Sequence, residues 1–585
     1  MKLRKLLGVL MALLMVVTVL PTALAAPGDT RAAVSYVDEN GEPQACEDYT
    51  SASAELEEWS GWIVVTEDTT MGDVEWDDAY NICHRVEVTD DVFLILTDGT
   101  TLTIPSGIHI PEGSSLTVYA QEGGSGKLIV GVEDNPIYNG VAGIGGNDNE
   151  TGGTVTINGG DISVIGGDMG AGIGGGLGGN AELVTINGGK VFAQGSGDCG
   201  DGIGTGDSAN DGTNIVINGG TVTAVGGGSG AGIGCVHDST VTINGGTVTA
   251  TGGTSDGGVG AAGIGGNYVN MKPGTIIING GTVTAKGGDG TNANRAGAGI
   301  GGASGGFGGS ITISGGIVNA TGGLNGGSGI GPGAISFAFP GDFGTVSITG
   351  GQVSASSANA SGIGYSGTFT PNGGDPIPLN TVINLGWTNE TDFILSSGYA
   401  GTVTLSKDFA VDGSDETFEA GTVDDNSNLA NKKLIPPQET PTGYHIIVDD
   451  KTAGNATVAG IDAEALYSGE VTFTVSCDDA CLVAIVNDDG TYTVLTCATT
   501  DDEHSFTVTV TNADVTIVIA IKGDANLNGA REAKDATFAA QAAAGKRTFS
   551  ALQQLAMDGN GDGVFDSKDA TYAAQVESGK KSYKW

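Results

Sequence analysis

One motif is repeated about seven times between Thr154 and Gly364, and this repeat limits the possible folds more than any other feature. Each copy reads roughly TVTINGG, then TVTATGG, then AGIGG. A fixed motif order with variable gaps indicates one structural unit per copy, with the length changes confined to loops. The isoleucine of the third piece recurs at Ile173, Ile203, Ile233, Ile264, Ile300, Ile330 and Ile363.

Each copy predicts three short strands. The first two pieces alternate apolar and polar residues and are rich in β-branched side chains, which suit a pleated surface. Glycine pairs separate the strands and permit sharp corners. A flexible glycine-rich linker is the alternative, but linkers do not keep apolar alternation. We therefore predict a mainly β protein built on a right-handed parallel β-helix. Its inward residues would include Val155, Ile157, Val222 and Ile233, and its outward residues Thr156 and Thr223.

The composition and the first residues predict export. Three cations precede an apolar run from Leu6 to Leu20, followed by a small-residue site typical of signal-peptide cleavage. We predict a signal peptide at 1–25 and an extracellular, secreted protein. The run is short for a membrane anchor, and we expect no membrane span. The net charge of -45 makes nucleic acid a poor partner.

The cysteines allow one specific prediction. Cys46 and Cys83 lie in the same N-terminal segment, and export permits a disulfide between them. Such a bond would contribute roughly 3–4 kcal/mol in the chain-entropy model. No recurring CxxC pair with a histidine partner points to zinc. The pairing of the remaining five is left open: Cys199, Cys235, Cys477, Cys481 and Cys497.

Shifts in composition predict several modules. The open ends of a strand stack are liable to pair with other chains, so distinct end modules are expected. A proline-rich stretch indicates a linker, and several strand-like runs after it favour a small β-sandwich. The predicted boundaries are an N-terminal cap at 26–94, the repeat array at 95–365, a C-terminal cap and linker at 366–441, a β-sandwich at 442–522 and a final module at 523–585.

The array resembles a known family. The opening ILTDG…LTIPSGI and the recurring AGIGG are similar to glycine-rich β-helix repeat proteins secreted by gut and cellulolytic Firmicutes. The resemblance covers about half the chain. It implies association with a surface or with carbohydrate.

The array lacks an evident catalytic group. Glycosidases need paired carboxylates at a defined separation, and the acids between residues 154 and 365 are scattered. Arg295 is the only arginine there and lies in a variable turn, and His237 has no partner in the pattern. A fold alone does not confer function. We therefore predict no catalytic residues.

The C-terminal segment contains the clearest chemistry. Two stretches match each other at an offset of 34 residues, one beginning at Gly523 and the other, one residue shorter at its start, at Asp558. Each contains a twelve-residue calcium-loop pattern with oxygen-bearing residues at positions 1, 3, 5, 7, 9 and 12 and glycine at position 6. We predict two Ca²⁺ ions. The ligand positions are Asp524, Asn526, Asn528, Ala530, Glu532 and Asp535 in loop one, and Asp558, Asn560, Asp562, Val564, Asp566 and Asp569 in loop two.

A helix is predicted after each loop, at 534–544 and 568–578, ending at glycine. No helical pattern precedes either loop, and position 12 is aspartate where an EF-hand has glutamate. The pair resembles a type I dockerin, although Asn528 replaces the usual aspartate. This resemblance implies docking to the cohesin module of a cellulosome-type scaffoldin. The family's cohesin-contacting positions fall on Ala533, Lys534, Ala540, Gln541, Ser567, Lys568, Ala574 and Gln575.

These features lead to one functional hypothesis and two alternatives. The hypothesis is a secreted, non-catalytic protein that binds cohesin through its tail and plant cell-wall polysaccharide or a cell surface through its β-helix. The first alternative is a dockerin-bearing polysaccharide lyase or glycoside hydrolase. The second is a structural adhesin or spacer. Loop two carries four carboxylates and loop one three, so ligand charge favours loop two as the first to fill.

Overall fold

In the computed structural model the chain is mainly β, and the repeats fold into coils of three short strands stacked in parallel. The signal-peptide segment 1–25 lies outside the residues that the structure describes. The chain divides into two units, Met1–Pro437 and Gln438–Trp585. The described residues are 32–75, 82–131, 140–209, 211–267, 274–291, 295–334, 343–369, 377–437, 443–500, 503–511 and 513–584.

The first strand of each coil pairs with its counterparts in the neighbouring coils. Thr156, for example, is in register with Thr117 on one side and Thr185 on the other. The strands of this column are Thr50–Ser51, Glu58–Val65, Val86–Leu96, Ser115–Ala120, Gly152–Ile157, Ala181–Ile186, Asn214–Ile217, Thr240–Ile243, Thr275–Ile278, Ser310–Ile313, Thr345–Ile348, Val382–Leu385 and Thr402–Leu405, with Gly421–Thr422 antiparallel at the end.

The second strand of each coil belongs to a separate sheet of 14 strands. Its register keeps identical positions together, as where Val222, Val248 and Val283 align. The parallel strands are Thr69–Thr70, Thr101–Ile104, Lys127–Val130, Asp161–Asp168, Lys190–Ser196, Thr221–Val225, Thr247–Thr251, Thr282–Lys286, Ile317–Thr321, Gln352–Ser356 and Phe393–Ser396. Three antiparallel strands follow at Phe409–Val411, Thr417–Phe418 and Lys433–Ile435.

The third strand is only two residues long, and it places the recurring isoleucines in one row. Ile173 is in register with Ile203, which in turn is in register with Ile233. These short strands are Ile108–His109, Ile144–Gly145, Ile173–Gly174, Ile203–Gly204, Ile233–Gly234, Ile264–Gly265, Ile300–Gly301, Ile330–Gly331, Ile363–Gly364 and Tyr399–Ala400. The order of motifs in the sequence is therefore the order of the three columns.

The core of the first unit lies inside the coils. One continuous cluster of buried apolar residues extends from Ala52 to Leu434. The predicted inward residues Val155, Ile157, Val222 and Ile233 are all completely buried. The alternating threonines Thr156 and Thr223 remain partly accessible. Period-two alternation thus sorts each strand into a core face and a solvent face, as predicted.

The corner after the first strand carries a ladder of asparagines. The Nδ2 of Asn187 donates to the Oδ1 of Asn158 at 2.7 Å, and Asn218 repeats the contact on Asn187 at 2.7 Å. Asn244 and Asn279 continue the chain of hydrogen bonds at 2.8 and 2.9 Å. The amides of Asn187, Asn218 and Asn244 both donate and accept, so the ladder satisfies polar groups that successive coils bring to the same place.

The strand columns extend beyond the predicted limits of the array. Glu58–Val65 pairs in parallel with Val86–Leu96, so coil stacking begins within the segment assigned to the N-terminal cap. An outer hairpin, Val34–Val37 with Pro43–Cys46, packs on this end and its Tyr36 contacts Trp62 at 5.0 Å between ring centroids. A second small hairpin joins Asp73–Glu75 to Ile82–His84.

The other end of the stack is closed by a different set of contacts. Thr402–Leu405 is the last strand of the first column to add in parallel. Trp387 packs against the core cluster, and its Nε1 donates to the carbonyl of Asp408 at 2.9 Å. A 3-10 helix at Asn426–Leu429 buries Leu429, and a separate hairpin pairs Ser366–Phe369 with Ile377–Asn380.

The second unit begins with two four-stranded sheets that share one apolar core. Phe473 and Phe506 stack at its centre with ring centroids 5.8 Å apart. The turn at 488–490 joins two antiparallel strands, with Gly490 at a φ of +78°. The first sheet contains Ile446–Asp450, Val515–Ile521, Cys481–Val486 and Tyr492–Val494, and the second Ala456–Ala459, Gly469–Cys477, Glu503–Val510 and Ala498–Thr500.

The described residues contain three short α-helices, and all of them follow these sheets. They are α1 at Ala533–Ala543, α2 at Ala551–Met557 and α3 at Ser567–Glu577. Helices α1 and α3 lie within one residue of the predicted ranges and are followed by Gly545 and Gly579, both at positive φ. No helix in the described part of the chain has the length and apolar content needed to cross a membrane.

The absence of a helix before loop two was predicted wrongly, because α2 ends at Met557, directly before Asp558. Ser550 caps α2 by accepting from the amide of Gln553 at 3.3 Å, and the Gln553 side chain accepts in return from the amide of Ser550 at 2.9 Å. This capping box and the burial of Leu552 and Met557 stabilise α2, which is too short to show a clear helical periodicity in the sequence.

Candidate metal centre

Loop one is organised around Asp524, which is completely buried at the start of the loop. Its Oδ2 accepts from the amide of Gly529 at 2.7 Å, and its Oδ1 accepts from the amide of Asn526 at 3.2 Å. Gly529 occupies the sixth position with a φ of +85°, a conformation that favours glycine. The bonds bend the backbone around the carboxylate, which is the shape a cation-binding loop needs.

Asp535 closes loop one from the first turn of α1. It is 1% exposed, and its Oδ1 accepts from the Nδ2 of Asn526 at 2.9 Å. Its Oδ2 accepts from the amide of Glu532 at 2.8 Å. Burial raises the pKa of the Asp535 carboxyl, and the negative charges of Asp524 and Glu532 act in the same direction. Positions 1 and 12 therefore bring two acids into one poorly solvated region.

Glu532, at position 9, has other partners. Its carboxylate pairs with the ammonium of Lys534 and accepts from the Nδ2 of Asn528 at 3.2 Å. The hydrogen bond from Lys534 lowers the pKa of Glu532. The Oδ1 of Asn528 accepts from the amide of Ala530 at 3.2 Å, which closes the turn through positions 5 and 7.

Loop two repeats two of the hydrogen bonds of loop one at equivalent positions. The Oδ2 of Asp558 accepts from the amide of Gly563 at 2.8 Å, as Asp524 does from Gly529. The Oδ2 of Asp569 accepts from the amide of Asp566 at 2.8 Å, as Asp535 does from Glu532. Gly563 has a φ of +81°. Two segments that share both sequence and side-chain bonding at the same positions have the same local fold.

The remaining predicted ligands of loop two line its turn. The Oδ1 of Asn560 accepts from the amide of Asp562 at 2.8 Å, and the Oδ1 of Asp562 accepts from the amide of Val564 at 3.1 Å. Val564 is 63% exposed, so the middle of the loop is open to water. Asp569, by contrast, is completely buried and accepts from the amide of Asn560 at 3.2 Å.

The donor set fits a hard cation such as Ca²⁺. Carboxylate, amide and main-chain carbonyl oxygens are the ligands that this ion takes, and both loops supply them at the six positions. Within the described residues, no three His, Cys, Asp or Glu side chains lie close enough to form a metal centre by themselves. Amide and main-chain oxygens would therefore have to complete each coordination shell.

The predicted partner-contacting residues lie on the outer faces of α1 and α3. The two helices pack against each other, and Ala539 and Ala573 are buried in their shared cluster. The outer residues remain accessible to a partner. Ala533, Lys534, Ala540, Gln541, Ser567, Lys568 and Ala574 are exposed, and Gln575 is half-buried.

Three of the residues in the array that bear on catalysis contact the backbone of neighbouring turns. The Nη1 of Arg295 donates to the carbonyl of Gly257 at 3.3 Å, and the Nε2 of His237 contacts the carbonyl of Ala209 at 3.1 Å. Asp201 is completely buried and accepts from the amides of Thr205 and Ala231, both at 2.8 Å. These contacts hold turns in place.

One charged group was missed because it lies before the repeats. His109 is 8% exposed and lies between two glutamates, with Nδ1 2.7 Å from Glu87 and Nε2 3.0 Å from Glu150. Register places His109 beside Glu87 in adjacent coils, whereas Glu150 comes from a turn. Both ring nitrogens contact carboxylates, so the group links neighbouring coils. Only a prediction of the coil register would have revealed it.

The predicted disulfide stays a prediction. Cys46 is buried, and its Sγ lies 3.4 Å from the carbonyl of Asp48 as a hydrogen-bond donor. The side chain of Cys83 falls outside the described residues. Burial raises the pKa of the Cys46 thiol.

Comparison with known proteins identifies the repeats alone. A family model described as a beta helix repeat matches five segments of the array, and together they cover less than half of the chain. Neither a search of curated proteins nor a search of solved structures found a match. The matched segments are 184–207, 215–235, 241–268, 276–306 and 311–334.

Proposed function

We propose that this protein is exported and docks to a cohesin module through a calcium-loaded, dockerin-like C-terminal segment. The observation that carries the proposal is the pair of matching loops. In each loop the first acid accepts from the sixth residue and the twelfth acid accepts from the ninth. A single acidic turn would be an ordinary surface feature, but two turns with the same hydrogen bonds at equivalent positions indicate a common function.

A bound cation would act by neutralising like charges. Asp524 and Asp535 lie in one buried region of loop one, and Asp558 and Asp569 close loop two. Ca²⁺ would supply the positive charge that these carboxylates lack and would hold each loop against the helix that follows it. The twelfth residue of each loop lies in the first turn of α1 or α3, so ion binding and helix position are linked.

The partner-binding role rests on the exposed outer faces of α1 and α3. Each face carries lysine and glutamine at equivalent places, Lys534 with Gln541 and Lys568 with Gln575. Because the two faces repeat, we propose that either helix is able to dock.

We propose that the array binds polysaccharide or a cell surface without catalysing a reaction. Support comes from its regular outer rows, in which Thr221, Thr247 and Thr282 align across successive coils. Repeating hydroxyls at strand spacing suit a repeating polar ligand such as a glycan. We further propose that residues 442–522 are a β-sandwich, since two four-stranded sheets share one core.

Two assays on the full chain test the proposal. Immobilised cohesins of different classes should retain the protein in Ca²⁺ and release it in chelator. A panel of plant polysaccharides, assayed for pull-down and for unsaturated or reducing-end products, should show binding without product. Product formation would favour the lyase or hydrolase alternative for the array. Retention that ignores chelator would refute calcium-dependent docking.

A further inference from the structure

A turn of the preceding β-module, residues 452–455, lies directly on loop one. The Nδ2 of Asn455 donates to the carbonyl of Gly529 at 2.7 Å. A Cβ added to Gly529 would lie 2.5 Å from the carbonyl oxygen of Thr452 and 2.5 Å from the Cβ of Ala453. The sixth residue of loop one is therefore in van der Waals contact with the module.

Gly529 is linked on both sides of its backbone. Its amide donates to Asp524, the first predicted ligand, and its carbonyl accepts from Asn455. This second bond orients the peptide that leads into Ala530, whose carbonyl is the seventh ligand position. Asn455 thus acts on the ion-binding backbone without being a ligand itself.

Among the described residues, loop two has no equivalent contact at its sixth position. A Cβ added to Gly563, at the same position, would meet no atom within 4 Å. The two first ligands also differ, since Asp524 is completely buried whereas Asp558 is partly accessible. The sequences of the loops are similar, so the difference arises from what packs against them.

Two further contacts hold the module against the segment that contains loop one and α2. Leu552 and Ala556 of α2 belong to one buried cluster with Leu482 and Val518 of the module. The guanidinium of Arg531, within loop one, lies 2.7 Å from Asp479, with both side chains about a quarter to a third exposed (26% and 33%). The turn, the helix and the ion pair converge on loop one.

We propose that the module 443–522 preorganises loop one for its cation, so that part of the affinity of that site depends on Asn455. This inference rests on the proposed function, because it assigns a source of affinity to one of the two proposed calcium sites. Loop one has fewer carboxylates than loop two, and preorganisation offsets that deficit by reducing the conformational entropy lost on binding. Asn455 is a positioning residue.

We call the contacts of Asn455 with Gly529 and of Asp479 with Arg531 the clamp. The site in loop two is removed first, and the clamp is disturbed afterwards. Asp569→Ala removes the last ligand of loop two, so that calorimetric titration of the full chain with Ca²⁺ reports loop one. Adding Asn455→Ala should then weaken Ca²⁺ binding roughly three- to tenfold, the range set by one hydrogen bond. Asp479→Asn is a second clamp variant and should also weaken binding. Thr507→Ala, which removes an exposed contact of the other sheet, is the matched control and should leave affinity unchanged.

A second readout follows from reciprocity. If the module favours ion binding, the ion must stabilise the module's turn to the same degree. Amide hydrogen exchange at residues 452–455 should slow when Ca²⁺ is added, and Asn455→Ala should abolish the slowing. Unchanged affinity in both clamp variants, with the parent still binding two ions, would overturn the inference alone. A parent chain that binds no Ca²⁺ would instead refute the proposed function.

Discussion

The amide of Gly529 donates to the Oδ2 of Asp524 at 2.7 Å, and 34 residues later the amide of Gly563 donates to Asp558 at 2.8 Å. This recurring bond makes the two loops copies in three dimensions as well as in sequence. It joins the first ligand position to the sixth residue, whose backbone has a positive φ in both loops. The bond therefore depends on glycine at the sixth position, and the two sixth residues differ only in their surroundings.

Alanine at the sixth position should affect the two loops unequally. Gly563→Ala places a side chain at φ +81° in open space, and we expect a cost of about 1 kcal/mol from backbone strain. Gly529→Ala adds a collision with the backbone of Thr452 and should cost at least twice as much. Thermal unfolding of the full chain, followed at the transition of the C-terminal unit, compares them. Equal shifts would contradict the contact between the module and loop one.

A charge inside the coils should disrupt the array, whereas a charge outside should be tolerated. Ile243 is completely buried and in register with Ile217 and Ile278. Ile243→Asp buries an unpaired carboxylate, and we expect a loss of about 4 kcal/mol or more across neighbouring coils. Thr242→Asp, one residue away on the partly accessible face, should cost far less. Circular dichroism during thermal unfolding measures both, and similar losses would refute the register.

The asparagine ladder should contribute measurably to coil stacking. Asn218 donates to Asn187 and accepts from Asn244, so Asn218→Ala removes two side-chain bonds. We expect a loss of about 1–2 kcal/mol. Asn218→Ser should recover part of it, because Ser314 at the equivalent corner donates to Asn279 at 2.8 Å. Urea unfolding of the three proteins is the measurement, and an alanine variant as stable as the parent would show that the ladder is incidental.

The columns of strands were predictable because their cause is local. Alternation fixes which side of a strand is buried, and the recurring isoleucines, such as Ile203 and Ile233, mark where each coil starts again. The helices α1 and α3 were predictable for the same reason, since each follows an acidic loop and ends before a glycine.

The contacts between distant parts of the chain were not predictable in this way. Helix α2 has too few residues to show a period, and its only local signal was the spacing of Ser550 and Gln553. Asn455 and Gly529 are 74 residues apart, and no pattern in either segment indicates the other. The pairing of His109 with Glu150 likewise depends on which coil lies next to which.

Raising the pH should weaken the array through Asp201. Burial raises the pKa of its carboxyl to about 7, even though Thr205, Ala231 and Asn267 donate to it. Between about pH 4 and 7 the folded state therefore holds a proton that the unfolded state has released, so stability falls as pH rises through this window. The slope contributed by this group is at most about 1.4 kcal/mol per pH unit.

Asp201→Asn cannot titrate and supplies the control for that effect. The difference in unfolding free energy between the parent and Asp201→Asn should change steadily from about pH 4 to pH 7 and level off above it. Urea unfolding at several pH values measures the difference. A difference that is independent of pH would show that Asp201 keeps an ordinary pKa.

The most direct test of the central claim is the number of Ca²⁺ ions that the full chain binds, measured by calorimetric titration of chelator-treated protein. The two matching loops predict two ions per chain for the parent and one for Asp569→Ala. Asp569 is the buried acid that closes loop two from the first turn of α3, so its removal should empty that loop only. Uptake of no ion by the parent, or equal uptake by the parent and by Asp569→Ala, would contradict a calcium-dependent docking segment.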